Sequence, residues 1–307
     1  MRVRLLDMEQ QEIFEKDQDK VVEFKSLKDL IESNYEEMES LSLGNTLGGI
    51  EVSLYDFDAM TQGLRRGDLI AFAGRPMMGK TSLALQFARN IARQNLQVCF
   101  FSFDMSKEEL AHRIMAMETG FGINRVRTGR LQLDEWTAIN KERESLGKLP
   151  IFIDDKKDIS IEEIKTKCRN ISNSNKKDCL GLIVIDCCQM MEYLNHLDYK
   201  AKQEIILKEL KMLARDLDVP VVITLPVSPK VEERKNSRPM LSDIKESEAL
   251  ENYGDIIAMV YREEYYEPET EDRGIAELIL TTHRNGPVGT VKMLFEPQYG
   301  RYRNLAA

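Results

Sequence analysis

Gly74-Arg75-Pro76-Met77-Met78-Gly79-Lys80-Thr81 meets the spacing G-x-x-x-x-G-K-[ST] at every fixed position. Glycines there let backbone N–H groups curl around phosphate oxygens, and a helix opening behind them adds positive potential. The Lys80 ammonium would reach the β- and γ-phosphates of a nucleoside triphosphate, and the Thr81 hydroxyl would ligate Mg²⁺. The candidate contacts run through Ser82. A second acidic element is needed at the end of a nearby strand. Leu182-Ile183-Val184-Ile185-Asp186 supplies it, with the carboxylate at the edge where such sheets hold ligands. Each motif has a plainer reading, a chance Gly-rich turn and an ordinary strand-ending Asp. The first weakens because Leu69–Ala73 reads as a strand before the loop and Thr81–Gln94 as a helix after it.

Those flanking elements belong to a longer alternation. Apolar runs at Leu69–Ala73, Val98–Phe103, Pro150–Ile153, Leu182–Ile185, Pro220–Leu225 and Asp255–Val260 predict strands. Between them, residues 80–94, 107–117, 134–146, 160–172 and 201–217 read as helices. Continuous apolar strands alternating with helices predict an α/β fold with a mostly parallel sheet covered on both faces. Ile275–Thr281 and Gly289–Phe295 flank an Asn285-Gly286 pair, which predicts an antiparallel hairpin extension at the C-terminus. Upstream, residues 4–16 and 27–40 read as two short amphipathic helices around a charged stretch, Lys16 to Lys25. Leu5, Leu6, Met8, Ile13 and Phe14 mark the apolar face of the first, which is too short to stand alone and must dock on something. The stretch Leu43 to Gly49 reads as a linker. The expected division is therefore a helical segment, 1–43, and a motor-sized domain, 44–307.

Composition limits the classes. With 42% hydrophobic and 31% charged residues, 17 Gly and 9 Pro, the chain is neither collagen-like, low-complexity nor wholly disordered. No apolar run approaches the roughly 18 residues of a membrane span, and acids interrupt the N-terminus where a signal peptide would need an apolar stretch. Five Cys and three scattered His show no metal spacing, so we expect free thiols, a reducing cytosol and no structural zinc. Net charge is −9, of which residues 1–43 carry −6 (six basic, twelve acidic). No bulk basic face exists for nucleic acid, so a DNA site must be a local cluster. Lys230, Arg234, Lys235, Arg238 and Lys245 form the candidate, with a solvated charged loop as the equal alternative and Glu232, Glu233, Glu246 and Glu248 diluting it. Trp136 reads as core.

With these residues placed, the chain resembles the DnaB-type replicative DNA helicases from about Leu5 to Leu305. The resemblance is carried by the phosphate loop, by Phe101-Ser102-Phe103-Asp104-Met105-Ser106 and by Arg127-Thr128-Gly129. It continues through Ile185-Asp186-Cys187-Cys188-Gln189-Met190 and Arg238-Pro239-Met240-Leu241-Ser242-Asp243. Tyr261-Arg262, Glu264-Tyr265-Tyr266 and His283-Arg284-Asn285-Gly286-Pro287-Val288-Gly289-Thr290 complete it. It implies a RecA-like P-loop fold, ATP and Mg²⁺ as cofactors, and a homohexameric ring around single-stranded DNA that acts in replication in the cytoplasm. Residues 4–42 resemble the family's linker helix and its connection, without the N-terminal helical domain. Primase, a helicase loader or a full-length helicase become candidate partners, and a membrane does not. Asp104 then matches the general base, and Arg284, otherwise a solvated hairpin tip, matches the finger that reaches a neighbour's γ-phosphate. Lys245 and Glu246 fall in the DNA loop.

Four positions depart from the family pattern. Asp104 stands where Glu is usual and is one methylene shorter, about 1.5 Å in reach, which matters for proton abstraction. After the strand Pro220–Leu225 the family has Ser-Gln-Leu-Ser-Arg, whereas this chain reads Pro226-Val227-Ser228-Pro229-Lys230 in a segment one residue shorter, and Val227 cannot hydrogen-bond a phosphate. Thr282 replaces a Lys, and Glu248 a Gly. Cys187 and Cys188 replace bulkier residues. Two expectations follow: an ATP-dependent DNA helicase motor, or an attenuated paralogue that binds nucleotide and co-assembles with, loads or inhibits a full helicase.

Overall fold

In the six runs ahead of the hairpin, alternate residues bury on opposite faces, so both faces need a cover. The computed structural model describes residues 24–42, 48–174, 179–191 and 198–305. The chain divides into two compact units, residues 1–47 and 48–307. In the first, Ser26 caps a helix, α1 (Leu27–Ser42), by accepting from Asp29 N at 3.1 Å. Leu27, Leu30, Ile31, Tyr35 and Met38 recur along it at helical spacing. The amphipathic helix expected over 4–16 and most of the linker from Leu43 lie outside the described residues.

In the second unit, strands and helices alternate as α2 (Tyr55–Thr61), β1 (Leu69–Gly74), α3 (Lys80–Ala92), β2 (Gln97–Ser102) and α4 (Lys107–Thr119). They continue as α5 (Ile123–Thr128), α6 (Leu133–Leu146), β3 (Ile151–Asp154), α7 (Ile161–Ser174), β4 (Leu180–Asp186) and α8 (Tyr199–Leu217). Then come β5 (Val221–Pro226), α9 (Ser247–Tyr253), β6 (Ile256–Tyr261), β7 (Ile275–His283), β8 (Gly289–Glu296) and β9 (Arg301–Asn304). Among the described residues, nine strands form one sheet in the order β3-β2-β4-β5-β1-β6-β7-β8-β9. The first six are parallel and the last three antiparallel.

Period-two alternation sorts the core into two layers. Ile70, Phe72, Val98, Phe100, Leu182 and Val184 pack beneath Leu83, Phe87 and Ile91 of α3 and Leu110 of α4. Leu69, Ala71, Ala73, Ile183, Ile185 and Ile223 face the other way, against Ile164 of α7 and Ile206, Leu210 and Leu213 of α8. The middle residues of β1, β2, β4 and β6 are therefore apolar on both faces, while β5 carries Thr224 among its apolar residues.

The hairpin extension is present, with Leu280 opposite Gly289 and Ile275 opposite Leu294. Its connection spans residues 284–288 rather than a two-residue turn, and β9 adds a strand that the sequence pattern did not predict. Arg-Tyr-Arg-Asn alternates about one buried side chain, Tyr302, too weak a signal over four residues. Helices α2, α5 and α9 were likewise not predicted, each being too short for a clear period.

Candidate functional site

The loop between β1 and α3 is held by two glycines for different reasons. A Cβ on Gly74 would lie 2.8 Å from Val260 O on the neighbouring strand. Gly79 has φ +101°, and a Cβ there would meet Tyr302 Oη at 2.4 Å. That hydroxyl donates to Gly79 O at 3.2 Å, so β9 braces the loop from beneath. Met78 is buried under the loop while Met77, at φ +65°, is exposed. The first N–H groups of α3 have no intrahelical acceptors, and Lys80, Thr81 and Ser82 line the cleft that the loop borders.

Lys80 Nζ donates to Gly74 O at 2.8 Å and Arg75 O at 3.1 Å. Burial lowers its pKa, with Cys187 and Asp186 pulling it back up. Among the described residues it makes no ion pair. A desolvated ammonium held only by carbonyls beside free helix N–H groups fits a phosphate group.

Asp186 is fully buried at the end of β4. Its carboxylate accepts from Thr81 Oγ1 at 2.9 and 3.1 Å and from Thr224 Oγ1 at 2.7 Å. Thr224 Oγ1 also accepts from Cys187 N at 2.7 Å. Burial raises the Asp186 pKa, while Thr224, Thr81 and Lys80 lower it. A hydroxyl and one carboxylate, with further oxygens from water and phosphate, form the donor set Mg²⁺ takes, so the residues fit that ion.

Register brings Asp104 to the same place. Ser102 on β2 pairs with Asp186 on β4, and Asp104 follows two residues beyond, exposed at the cleft. The cleft has a volume of about 900 Å³ and is also lined by Arg113, Cys187, Gln189, Pro226, Arg262 and Arg273. The sequence reading gave none of these six a role. Arg262 donates to Met77 O at 3.2 Å, pairs with Glu264 and lies 4.7 Å over the Phe295 ring. Tyr261-Arg262 carries part of the family resemblance, but its sequence alone does not place the guanidinium against the phosphate loop. Cys187 is at φ +66°, and burial, reinforced by the Asp186 and Asp104 charges, pushes its thiol up to about 11. Val227 is turned into the core, with its N–H on Gly74 O at 3.2 Å. Arg75 donates to Glu232 at 2.8 Å and to Val227 O at 3.3 Å.

Arg284 is elsewhere. Its guanidinium donates to Asn252 O at 2.5 Å, Gly254 O at 3.0 Å and Glu251 O at 3.3 Å, the C-terminal carbonyls of α9. Asp255 beside it accepts from Leu69 N at 2.8 Å, at the start of β1. Arg284 is thus at the amino edge of the parallel strands, opposite the cleft.

The basic cluster divides. Arg234 makes two 2.8 Å bonds to Asp243, and Arg238 pairs with Glu277 and lies 5.0 Å from the Tyr261 ring centroid. Lys230 and Lys235 are exposed. Lys245 lies 5.6 Å from the Tyr199 ring centroid, and Glu246 is buried against the Tyr199 hydroxyl. No described helix is long and apolar enough to cross a membrane.

A profile of the DnaB-like helicase C-terminal domain matches residues 49–304. The chain is 38% identical over 286 residues to the replicative DNA helicase DnaB of Geobacillus stearothermophilus. It is equally similar to the replicative DNA helicase DnaC of Bacillus subtilis. Each alignment covers 92% of this chain and 62% of the relative, so the chain spans about 62% of their length. A solved ATPase domain superposes with TM-score 0.88 at 32% identity, covering 92% of this chain and all of that one. A DnaB-like replicative helicase, described with its interactions with primase, superposes with TM-score 0.85 over 92% of this chain and 68% of its own.

Proposed function

Because the chain belongs to the DnaB-like helicase C-terminal domain family, we propose that it is an ATP- and Mg²⁺-dependent motor that translocates on single-stranded DNA as a ring. The observation that carries this reading is the convergence of Lys80, Thr81 and Asp104 on one cleft at the carboxyl edge of the sheet, with Asp186 bonded to Thr81 behind it. Lys80 would exchange its two carbonyl partners for phosphate oxygens. Thr81 and Asp186 would hold Mg²⁺, which neutralises charge developing on the transferred phosphoryl group. Thr224 holds the Asp186 carboxylate toward Thr81. Asp104 would accept the proton of the attacking water.

Arg284 would act on a neighbouring subunit's cleft, since its own lies across the sheet. A guanidinium there offsets transition-state charge. Exposed Lys230 and Lys235, with Lys245 and the backbone at Glu246, are the residues left free to meet a DNA strand. Arg234 and Arg238 would instead shape that segment through Asp243 and Glu277. Residues 1–43 would form the arm between subunits, and primase is a partner class suggested by one structural relative. The relatives are named as replicative helicases, so the attenuated paralogue is not the favoured reading.

ATP turnover with and without single-stranded DNA, beside Lys80→Ala, tests the proposal. DNA-stimulated hydrolysis abolished by Lys80→Ala is expected. Unchanged turnover in that variant would remove Lys80 from the site and the reading with it.

A further inference from the structure

The Tyr302 hydroxyl lies 3.2 Å from Gly79 O and 3.4 Å from Met78 O, and shares its one proton between them. Each carbonyl belongs to a planar trans peptide, so the N–H at its other end points the opposite way. Those N–H groups are Gly79 N and Lys80 N. Neither has a backbone acceptor among the described residues, and both residues line the cleft. Successive unmatched N–H groups in such a turn make a concavity for an anion. Gly79, at φ +101°, can turn through either hand at little cost, so its own backbone preference does not decide where these N–H groups point. Something outside the loop must.

Tyr302 is placed to do so without meeting a ligand. It is 1% exposed and does not line the cleft. Its backbone is fixed to α3, where Gln86 Nε2 donates to Tyr302 O at 2.7 Å and Gln86 Oε1 accepts from Tyr302 N at 2.8 Å. Its ring packs on Phe295 of β8, the centroids 4.5 Å apart. Two residues on, Asn304 pins β9 by accepting from Tyr55 N at 2.8 Å and donating to Ser53 O at 3.3 Å. A strand held at several points therefore aims the hydroxyl. Burial pushes its pKa up, which keeps it a donor.

We infer that Tyr302 is a positioning residue for the phosphates: its hydroxyl holds the Met78–Gly79 and Gly79–Lys80 peptides with their N–H groups turned toward the cleft. The inference rests on the nucleotide-binding reading above and adds to it a residue that never touches nucleotide. Without the hydroxyl, both peptides can rotate about Gly79, and the loop is ready for phosphate only part of the time. Apparent affinity falls by that fraction. ATP and inorganic tripolyphosphate lose equally, because the donors concerned meet phosphate rather than base or ribose.

Equilibrium binding and turnover of Tyr302→Phe in the full chain test this, with MgATP and magnesium tripolyphosphate as probes. The variant keeps the ring against Phe295, and circular dichroism checks its fold. Dissociation constants for both probes should rise roughly three- to tenfold, the scale of one hydrogen bond. The effect on turnover should appear in KM rather than kcat. Asn304→Ala loosens the same strand without removing the hydroxyl; it should lower the unfolding midpoint and leave both constants alone. Tyr302→Phe binding both probes as tightly as wild type would overturn the inference and leave the nucleotide reading standing. So would a loss for ATP that spares tripolyphosphate, or one that Asn304→Ala matches. Wild type that binds neither probe would remove the nucleotide reading, and this inference with it.

Discussion

Replacing Thr224 by Val keeps the side-chain shape in the middle of the sheet and removes only a hydroxyl. That hydroxyl makes two bonds of 2.7 Å, one donated to Asp186 Oδ1 and one accepted from Cys187 N. Both Thr224 and Asp186 are fully buried, so water cannot take over. A hydrogen bond to a charged group contributes about 1.5–3 kcal/mol, and an orphaned buried N–H costs about 1–3. Cys187 is only half-buried, which places its share at the lower end. The expected loss is therefore about 2–4 kcal/mol, or roughly 4–10 °C in the midpoint of a chain this large. The carboxylate would keep Thr81 alone as donor, its pKa would climb further, and its hold on Mg²⁺ would weaken. Thermal unfolding without nucleotide and a Mg²⁺ titration of ATP turnover measure the two effects. Thr224→Ser should recover most of both. If Thr224→Val unfolds and titrates like wild type, the hydroxyl does not support Asp186 and the account of the site is wrong.

Asp104→Glu restores the reach that the shorter side chain lacks. Turnover should rise roughly tenfold or more at nearly unchanged nucleotide affinity, since a base acts mainly in the transition state; an unaltered or slower rate would show that Asp104 already works in place. The Asp68 carboxyl, at the amino edge, is pushed up to about 6 by burial and by Asp255, from 3.8. The native chain therefore holds an extra proton between those values, and this group's contribution to stability falls as pH rises from about 4 to 6. Asp68→Asn should raise stability at neutral pH by roughly 1–3 kcal/mol and change it little near pH 4; equal effects at both pH values in denaturant titrations would sink the assignment.

Much of this architecture is legible in the sequence because the physics that forms it is local. Six apolar runs bounded by helical periods give six strands, and the phosphate loop is readable because its backbone needs glycine at fixed places. Asp186 follows from its position at a strand end. Thr224 does not: a threonine inside Val221-Val222-Ile223-Thr224-Leu225 looks like one more β-branched residue, and only the pairing of β4 beside β5 puts its hydroxyl against Asp186. Tyr302 bracing Gly79 is invisible for the same reason, since the two are far apart in the chain. The basic cluster shows the opposite difficulty. Five cations close in sequence suggest one patch, but Asp243 within the same stretch engages Arg234 and Glu277 arrives from β7 to engage Arg238.

The departures from the family pattern separate in three dimensions. The groups that would bind nucleotide are intact: Lys80, Thr81, Asp186 and its Thr224 support. Val227 differs where nucleotide would be read rather than held, whereas Thr282 on β7 and Glu248, paired with Lys200, lie away from the cleft. Val227 has its side chain in the core and its N–H on Gly74 O, so the segment after β5 is joined to the phosphate loop by backbone, not by a polar tip. Arg75 reinforces that junction through Val227 O and Glu232. A phosphate arriving at the loop would act on this segment through Gly74 and Arg75, without a side chain that distinguishes the γ-phosphate. Arg284, meanwhile, rests on the negative end of α9, where the helix dipole favours a cation. Moving it to a neighbour, as the proposed ring would need, would give up three carbonyl partners and so link assembly energetically to α9. Affinity for nucleotide and any response to its hydrolysis would thus meet at Gly74 and Arg75, and substitution of either should disturb both.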